Sequence, residues 1–157
     1  MKEHIEMALS IHASCVVIGE RGILIRGESG SGKTTLARHL VALATQSGIF
    51  ARLVGDDRVF VAENSGRLVA SGHPAIAGMV EVRGVGIVDT PYESACIIRL
   101  VVDCSKEVRL RSPDEEDRLV TIQGVRLPRI ETSAAEGNLV LSILGQAGHE
   151  VVKRAVE

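Results

Sequence analysis

Aromatic side chains are nearly missing from this chain of 157 residues, which has no Trp and only Tyr92, Phe50 and Phe60. Its core therefore has to be assembled from Val, Ile, Leu and Ala, the residues of interior strands in an α/β or mixed sheet. Cysteine is scarce too. Cys15, Cys96 and Cys104 form no C-x-x-C pair and leave an odd count, which points to reduced, mostly buried thiols in a cytoplasmic protein rather than a disulfide framework. No run of 18 uncharged apolar residues occurs, and the N-terminal MKEHIEMALS carries acids where a secretion signal has none, so no membrane association is expected. A net charge of -2 and a pI near 6.2 give no electrostatic case for nucleic acid or an anionic lipid surface as partner. Repeats, linkers and low-complexity tracts are absent as well, and one domain over residues 1–157 is the expectation.

What is present is dominated by Gly27-Glu28-Ser29-Gly30-Ser31-Gly32-Lys33-Thr34, which fits the phosphate-loop pattern G-x-x-x-x-G-K-[ST]. The apolar run Ile23–Ile25 precedes it as a short strand. Leu36, Leu40 and Leu43 follow at helical spacing in a helix expected from residue 33 to about 46, stopped at Gly48. A strand–loop–helix context is what the chemistry needs, because glycines let several N–H groups converge on one phosphate and the helix N-terminus favours negative charge. Lys33 would reach the terminal phosphates, and the Thr34 hydroxyl would ligate magnesium.

Taken in order, Cys15–Ile18 forms a strand closed by the turn at residues 19–22, pairing with the loop strand as a hairpin. Ala51–Val54 is a strand that delivers Asp56 and Asp57 to its end, where open α/β sheets place ligand chemistry. Residues 59–62 and 67–70 flank a turn at 63–66, and residues 71–79 form a loop or short helical turn. The stretch Val80–Asp89 is too rich in glycine and charge for ordinary core; its glycines and a buried-looking Glu81/Arg83 pair suggest backbone held close to something. Ala95–Val102 is a strand ended by Asp103, residues 105–118 are surface, and Pro128 marks residues 125–130 as an edge strand. A packing helix is expected over 137–156, interrupted near 145–148.

Read together, His12, the loop at 27–34, Asp56-Asp57-Arg58-Val59, the decapeptide VEVRGVGIVD at 80–89, Asp117-Arg118-Leu119 and Gly137-Asn138-Leu139 resemble the catalytic domain of the HPr kinase/phosphorylase family over roughly residues 10–145. The resemblance implies an enzyme that uses ATP to phosphorylate a serine of the phosphocarrier HPr, and that removes the group with inorganic phosphate, releasing pyrophosphate. It implies a P-loop kinase core with a mixed, partly antiparallel sheet similar to phosphoenolpyruvate carboxykinase. On the matching positions, Asp57 takes the role of general base, His12 orients or tunes it, and Lys33 holds phosphate. Arg118 stabilises charge on the transferred group. Thr34 and Glu81 hold Mg2+, and Asp56 is a further candidate for the metal's water shell. Family members form hexamers, so a homo-oligomer is also implied.

This sequence departs from the family pattern in three places. Met1 lies just upstream of the catalytic core, which is expected for a short form without the family's N-terminal domain. The segment that in the family reads near P-G-R-N-L is Ala135-Glu136-Gly137-Asn138-Leu139, in which the arginine is lost and an acid enters, so weak or absent phosphorylase activity is expected. The chain between the loop helix and the Asp pair is longer by several residues, and the C-terminus is short. Two other classes compete. A small-molecule kinase or NTPase would use Arg109, Arg111 and Arg118 as a lid, but has no evident need for the decapeptide at 80–89. A non-catalytic ATP-binding regulator would leave the Asp57 role vacant, and it is not.

Overall fold

The computed structural model describes residues 8–106 and 118–147, with side chains as far as Gly145. Within them the fold is mixed α/β. Eleven strands are present among the described residues: β1 (Leu9–Ile11), β2 (Ala13–Ile18), β3 (Arg21–Arg26), β4 (Ala51–Gly55), β5 (Val59–Asn64), β6 (Arg67–Gly72), β7 (Met79–Val82), β8 (Gly86–Asp89), β9 (Ala95–Cys104), β10 (Leu119–Ile122) and β11 (Val125–Thr132). Two helices join them, α1 (Lys33–Gln46) and α2 (Gly137–Ala147).

Nine strands make one sheet: seven follow the path β1-β5-β6-β9-β3-β2-β4, β11 joins at β9 and carries β10, and β7 and β8 pair separately. The long strand β9 is its spine. Along one side it runs parallel to β3; along the other it pairs first with β6, antiparallel, and then with β11, parallel. Because β3, β9 and β11 all run the same way, their C-terminal ends gather at one sheet edge, where β3 enters the loop and α1 begins.

Alternation explains why β2, β3 and β9 read as continuous apolar runs. On one face Val16, Ile18, Ile23, Ile25, Leu100 and Val102 pack under Leu36 and Leu40 of α1 and Val140 and Leu144 of α2. On the other, Cys15, Val17, Leu24, Ile98 and Val101 pack with Val59, Val61 and Leu68 of the outer hairpin β5–β6. A strand covered on both faces has no polar alternation to show. The helix of residues 33–46, the hairpins β2–β3 and β5–β6, and the helical turn at Pro74–Ile76 lie where the sequence predicts them.

One expectation needs correcting. The stretch 80–89 is not held against other backbone. It is the hairpin β7–β8, in which Glu81 and Arg83 are both exposed and Cβ atoms at Gly84 and Gly86 would meet nothing within 4 Å. Only its inner face, Val80 and Val82, packs on the α1 side of the core. Residues 125–130 keep edge character position by position, since 125–128 pair only with β10 and 129–130 only with β9, although β11 as a whole joins β10 to β9. Pro128 is accommodated because it forms the last pair of the β10 ladder, opposite Leu119, while pairing with β9 starts one residue later at Arg129. The helix expected to reach residue 156 and the charged segment containing Arg109, Arg111 and Asp117 extend outside the described residues.

Candidate active site

The loop of residues 27–32 turns β3 into α1 on backbone that only glycine adopts freely. Gly32, at the N-cap, has φ +103°, and a Cβ there would lie 2.7 Å from the Ala134 side chain. A Cβ on Gly27 would lie 2.5 Å from both the Cys104 carbonyl oxygen and Ser31 Oγ. Close approach from β9 and from the segment after β11 therefore fixes the loop's shape. No side chain caps α1 and no acid occupies its first turn, so its first N–H groups have no side-chain acceptor. Ser31 Oγ is buried with no hydrogen-bond partner among the described residues. Lys33 is 4% exposed and donates from Nζ to the Glu28 carbonyl oxygen at 3.0 Å, closing its side chain back along the loop. An anion in the loop would answer each of these donors, and the residues fit a bound phosphate.

The two carboxylates reach the same edge through a break in two ladders. β1 pairs with β5 at Ile11–Val59, and β2 pairs with β4 at Cys15–Gly55. Residues 12–14 therefore confront residues 56–58 between these two ladders, while Ala13 and Ser14 keep their pairing to β3. His12 Nε2 lies 2.9 Å from Asp57 Oδ1; a carboxylate only accepts, so the ring carries its proton on that nitrogen. Asp57 is exposed and left-handed, φ +64°. Asp56 faces the opposite way and is partly buried. Its Oδ1 accepts from Ser14 Oγ at 2.7 Å and from Thr34 Oγ1 at 2.9 Å.

No cluster of three or more His, Cys, Asp or Glu side chains able to hold a metal occurs among the described residues. A cage of protein ligands is thus not formed, but a hydroxyl beside one carboxylate suits magnesium, which keeps several waters and takes the rest of its ligands from phosphates. Thr34 and Asp56 form such a pair. Glu81, the other expected ligand, is exposed on β7 and makes no hydrogen bond or ion pair among the described residues. Arg118 is exposed immediately before β10, beside β11, and also lacks a bond to the loop or to Asp57.

A third group next to the loop was not anticipated. Asp103, near the end of β9, accepts from Arg26 Nε at 2.8 Å and Arg26 Nη2 at 2.9 Å, and also from Arg129 Nε on β11. Burial pushes its carboxyl up, but the bonds and charges of the two arginines outweigh this and hold it below the ordinary value. Arg26 immediately precedes Gly27, so this ion cluster anchors the loop's entry. Ser14 also escaped the sequence reading; its spacing of two from His12, at the start of a strand, was the available signal.

Over residues 3–155 the sequence matches the family described as HPr Serine kinase C-terminal domain. It is 28% identical over 149 residues to the HPr kinase/phosphorylase of Mycoplasma mycoides subsp. mycoides, covering 87% of this chain and 45% of that protein. It is 33% identical over 152 residues to the HPr kinase/phosphorylase of a Streptococcus thermophilus strain, covering 88% and 46%. The chain thus spans less than half the length of these relatives. Its fold superimposes on the solved structure titled Hpr(Ser) kinase/phosphatase from Coxiella burnetii with a TM-score of 0.71 at 22% identity, covering 92% of this chain and 99% of that one. The fold agrees with that structure, and the match over nearly the whole sequence makes this chain a member of the HPr serine kinase C-terminal domain family.

Proposed function

We propose that this chain is a protein-serine kinase that moves the γ-phosphoryl group of ATP to a serine hydroxyl of an HPr-type phosphocarrier. The observation that carries the reading is the His12–Asp57 pair, held beside Asp56 and Thr34 at the mouth of the loop. Loop and carboxylates together supply what phosphoryl transfer requires: a held phosphate, balanced charge and a placed base.

The loop amides and Lys33 hold the phosphates in this reading. Thr34 and Asp56 would hold magnesium, with Glu81 of β7 as a further ligand. Bound there, the ion neutralises charge on the phosphate oxygens. Asp57 Oδ1 is engaged by His12, which leaves Oδ2 to take the serine proton as the serine oxygen bonds to phosphorus and the bond to ADP breaks. His12 keeps the carboxylate turned toward the incoming hydroxyl. Arg118 comes to the transferred group from the β10 side. In reverse, phosphate attacks the phosphoserine phosphorus, Asp57 returns the proton to the serine oxygen, and pyrophosphate leaves. Glu136 stands in the segment that reaches the loop through Ala134, and an acid there repels phosphate, so this half of the activity is weak.

The same reading makes residues 1–157 one catalytic unit on a P-loop core like that of phosphoenolpyruvate carboxykinase, cytoplasmic and self-associating. Intact-mass measurement of a carrier incubated with the chain and magnesium-ATP tests it. One added phosphoryl group, lost with Asp57→Asn, is expected. ATP hydrolysis without transfer to any carrier would instead favour a simple NTPase.

A further inference from the structure

Asp56 is the point where two hydroxyl donors from distant parts of the chain converge. Thr34 comes from the first turn of α1 and Ser14 from β2, and both donate to the same oxygen, Oδ1. Oδ2 has no partner among the described residues. Ser14 is 0% exposed, and its hydroxyl makes no other hydrogen bond among them. A buried hydroxyl in an otherwise apolar strand, flanked by Ala13 and Cys15, is costly to keep unless its bond is used.

We infer that Ser14 is a positioning residue for the metal side of the site, acting through Asp56. A threonine hydroxyl has one proton and two lone pairs. Giving the proton to Asp56 leaves both lone pairs free to face a cation, which is what a hard cation requires of a hydroxyl ligand. Asp56 can collect that proton only while Oδ1 faces Thr34, and Asp56 lies in the break between ladders, where no strand pairing fixes it. Ser14 supplies the missing constraint from the rigid β2–β3 hairpin. This carries the proposed phosphoryl transfer one residue further and rests on that reading for the identity of the cation. It also divides the work of one strand entry: His12 holds Asp57, and Ser14 holds Asp56.

The test uses the full chain and equilibrium binding of ADP, measured by calorimetry with magnesium and again with EDTA, for wild type, Ser14→Ala, Asp56→Asn and the double variant. Losing one hydrogen bond to a charged group corresponds to roughly a tenfold weaker magnesium-ADP affinity in Ser14→Ala. Metal-free ADP should change by less than about twofold, and the double variant should bind no more weakly than Asp56→Asn, as expected for residues acting through one contact. Equal loss with and without magnesium would overturn the inference, because Ser14 would then support only the loop. Independent, additive effects of the two substitutions would overturn it too. Wild type that shows the expected binding pattern but phosphorylates no carrier refutes the kinase reading while supporting the role of Ser14.

Discussion

Asp103→Asn is the sharpest probe of what holds the loop in place. The carboxylate accepts three N–H bonds from Arg26 and Arg129, and the side chains of all three residues are only 22–29% exposed. An amide of the same shape must present an NH2 to one of these donors whichever way it is turned, and it removes the counter-charge the two guanidiniums share, Arg129 keeping Glu131 at 3.8 Å. Hydrogen bonds to charged groups are worth about 1.5–3 kcal/mol, and breaking a fully buried pair costs about 3–5 kcal/mol. Partial exposure lowers the second figure, so a loss of about 2–3 kcal/mol is expected. Urea titration should show a lower midpoint at unchanged slope, and heating a Tm lower by about 4–12 °C. The effect has a pH signature. The Asp103 carboxyl is depressed in the folded state relative to its ordinary value of 3.8; its stabilisation is complete above that value and is lost as pH falls through the folded one. The gap between wild type and variant should therefore be constant at neutral pH and narrow below about pH 4. A gap under about 0.5 kcal/mol, or one that does not change with acid, would refute the view that this cluster is an anchor.

Three further outcomes follow from particular contacts. Gly32→Ala puts a methyl group 2.7 Å from Ala134 on a backbone at φ +103°; about 1–3 kcal/mol of strain is expected, read as a lower Tm together with loss of ADP binding. His12→Ala removes an exposed bond to Asp57, so stability should move by less than about 0.5 kcal/mol while carrier phosphorylation, followed by intact mass, falls at least about tenfold. Burial holds the Cys15 thiol well above its ordinary value, with the neighbouring Cys96 adding to the effect. Iodoacetamide at pH 8 should leave Cys15 unmodified until the chain is unfolded, as peptide mass mapping would show. Because the unfolded thiol ionises first, stability should fall as pH rises past about 9.

Local signals in the sequence account for the elements that are themselves local. The loop, α1 and the hairpins β2–β3 and β5–β6 are each specified by residues within about one element's length, through glycine geometry, apolar spacing and turn chemistry. The candidate site was legible as a set of residue types but not as a set of contacts. Ser14 meets Asp56 across 42 positions, through a break in strand pairing that no local pattern announces. Arg26, Asp103 and Arg129 converge from three strands, and in the sequence Asp103 only marks the end of an apolar run. The β7–β8 hairpin misled for a related reason. Its glycines serve a turn in the open, whereas glycine density alone reads equally well as close backbone approach. Glu81 accordingly stands on an exposed face of β7 rather than in a buried pair with Arg83.

Adjacent carboxylates on one loop usually repel each other and share one environment, yet Asp56 and Asp57 have separate partners here. The left-handed backbone at Asp57 is the cause, because it sends one side chain inward to Ser14 and Thr34 and the next outward to His12. Aspartate and asparagine tolerate this conformation better than other non-glycine residues. Asp57→Asn therefore removes the proton acceptor without disturbing the turn that aims Asp56. A replacement that resists φ > 0, such as Asp57→Val, should disturb both. Magnesium-ADP affinity should survive the first substitution and fall in the second, and that contrast separates loss of a base from loss of the geometry that holds the metal side together.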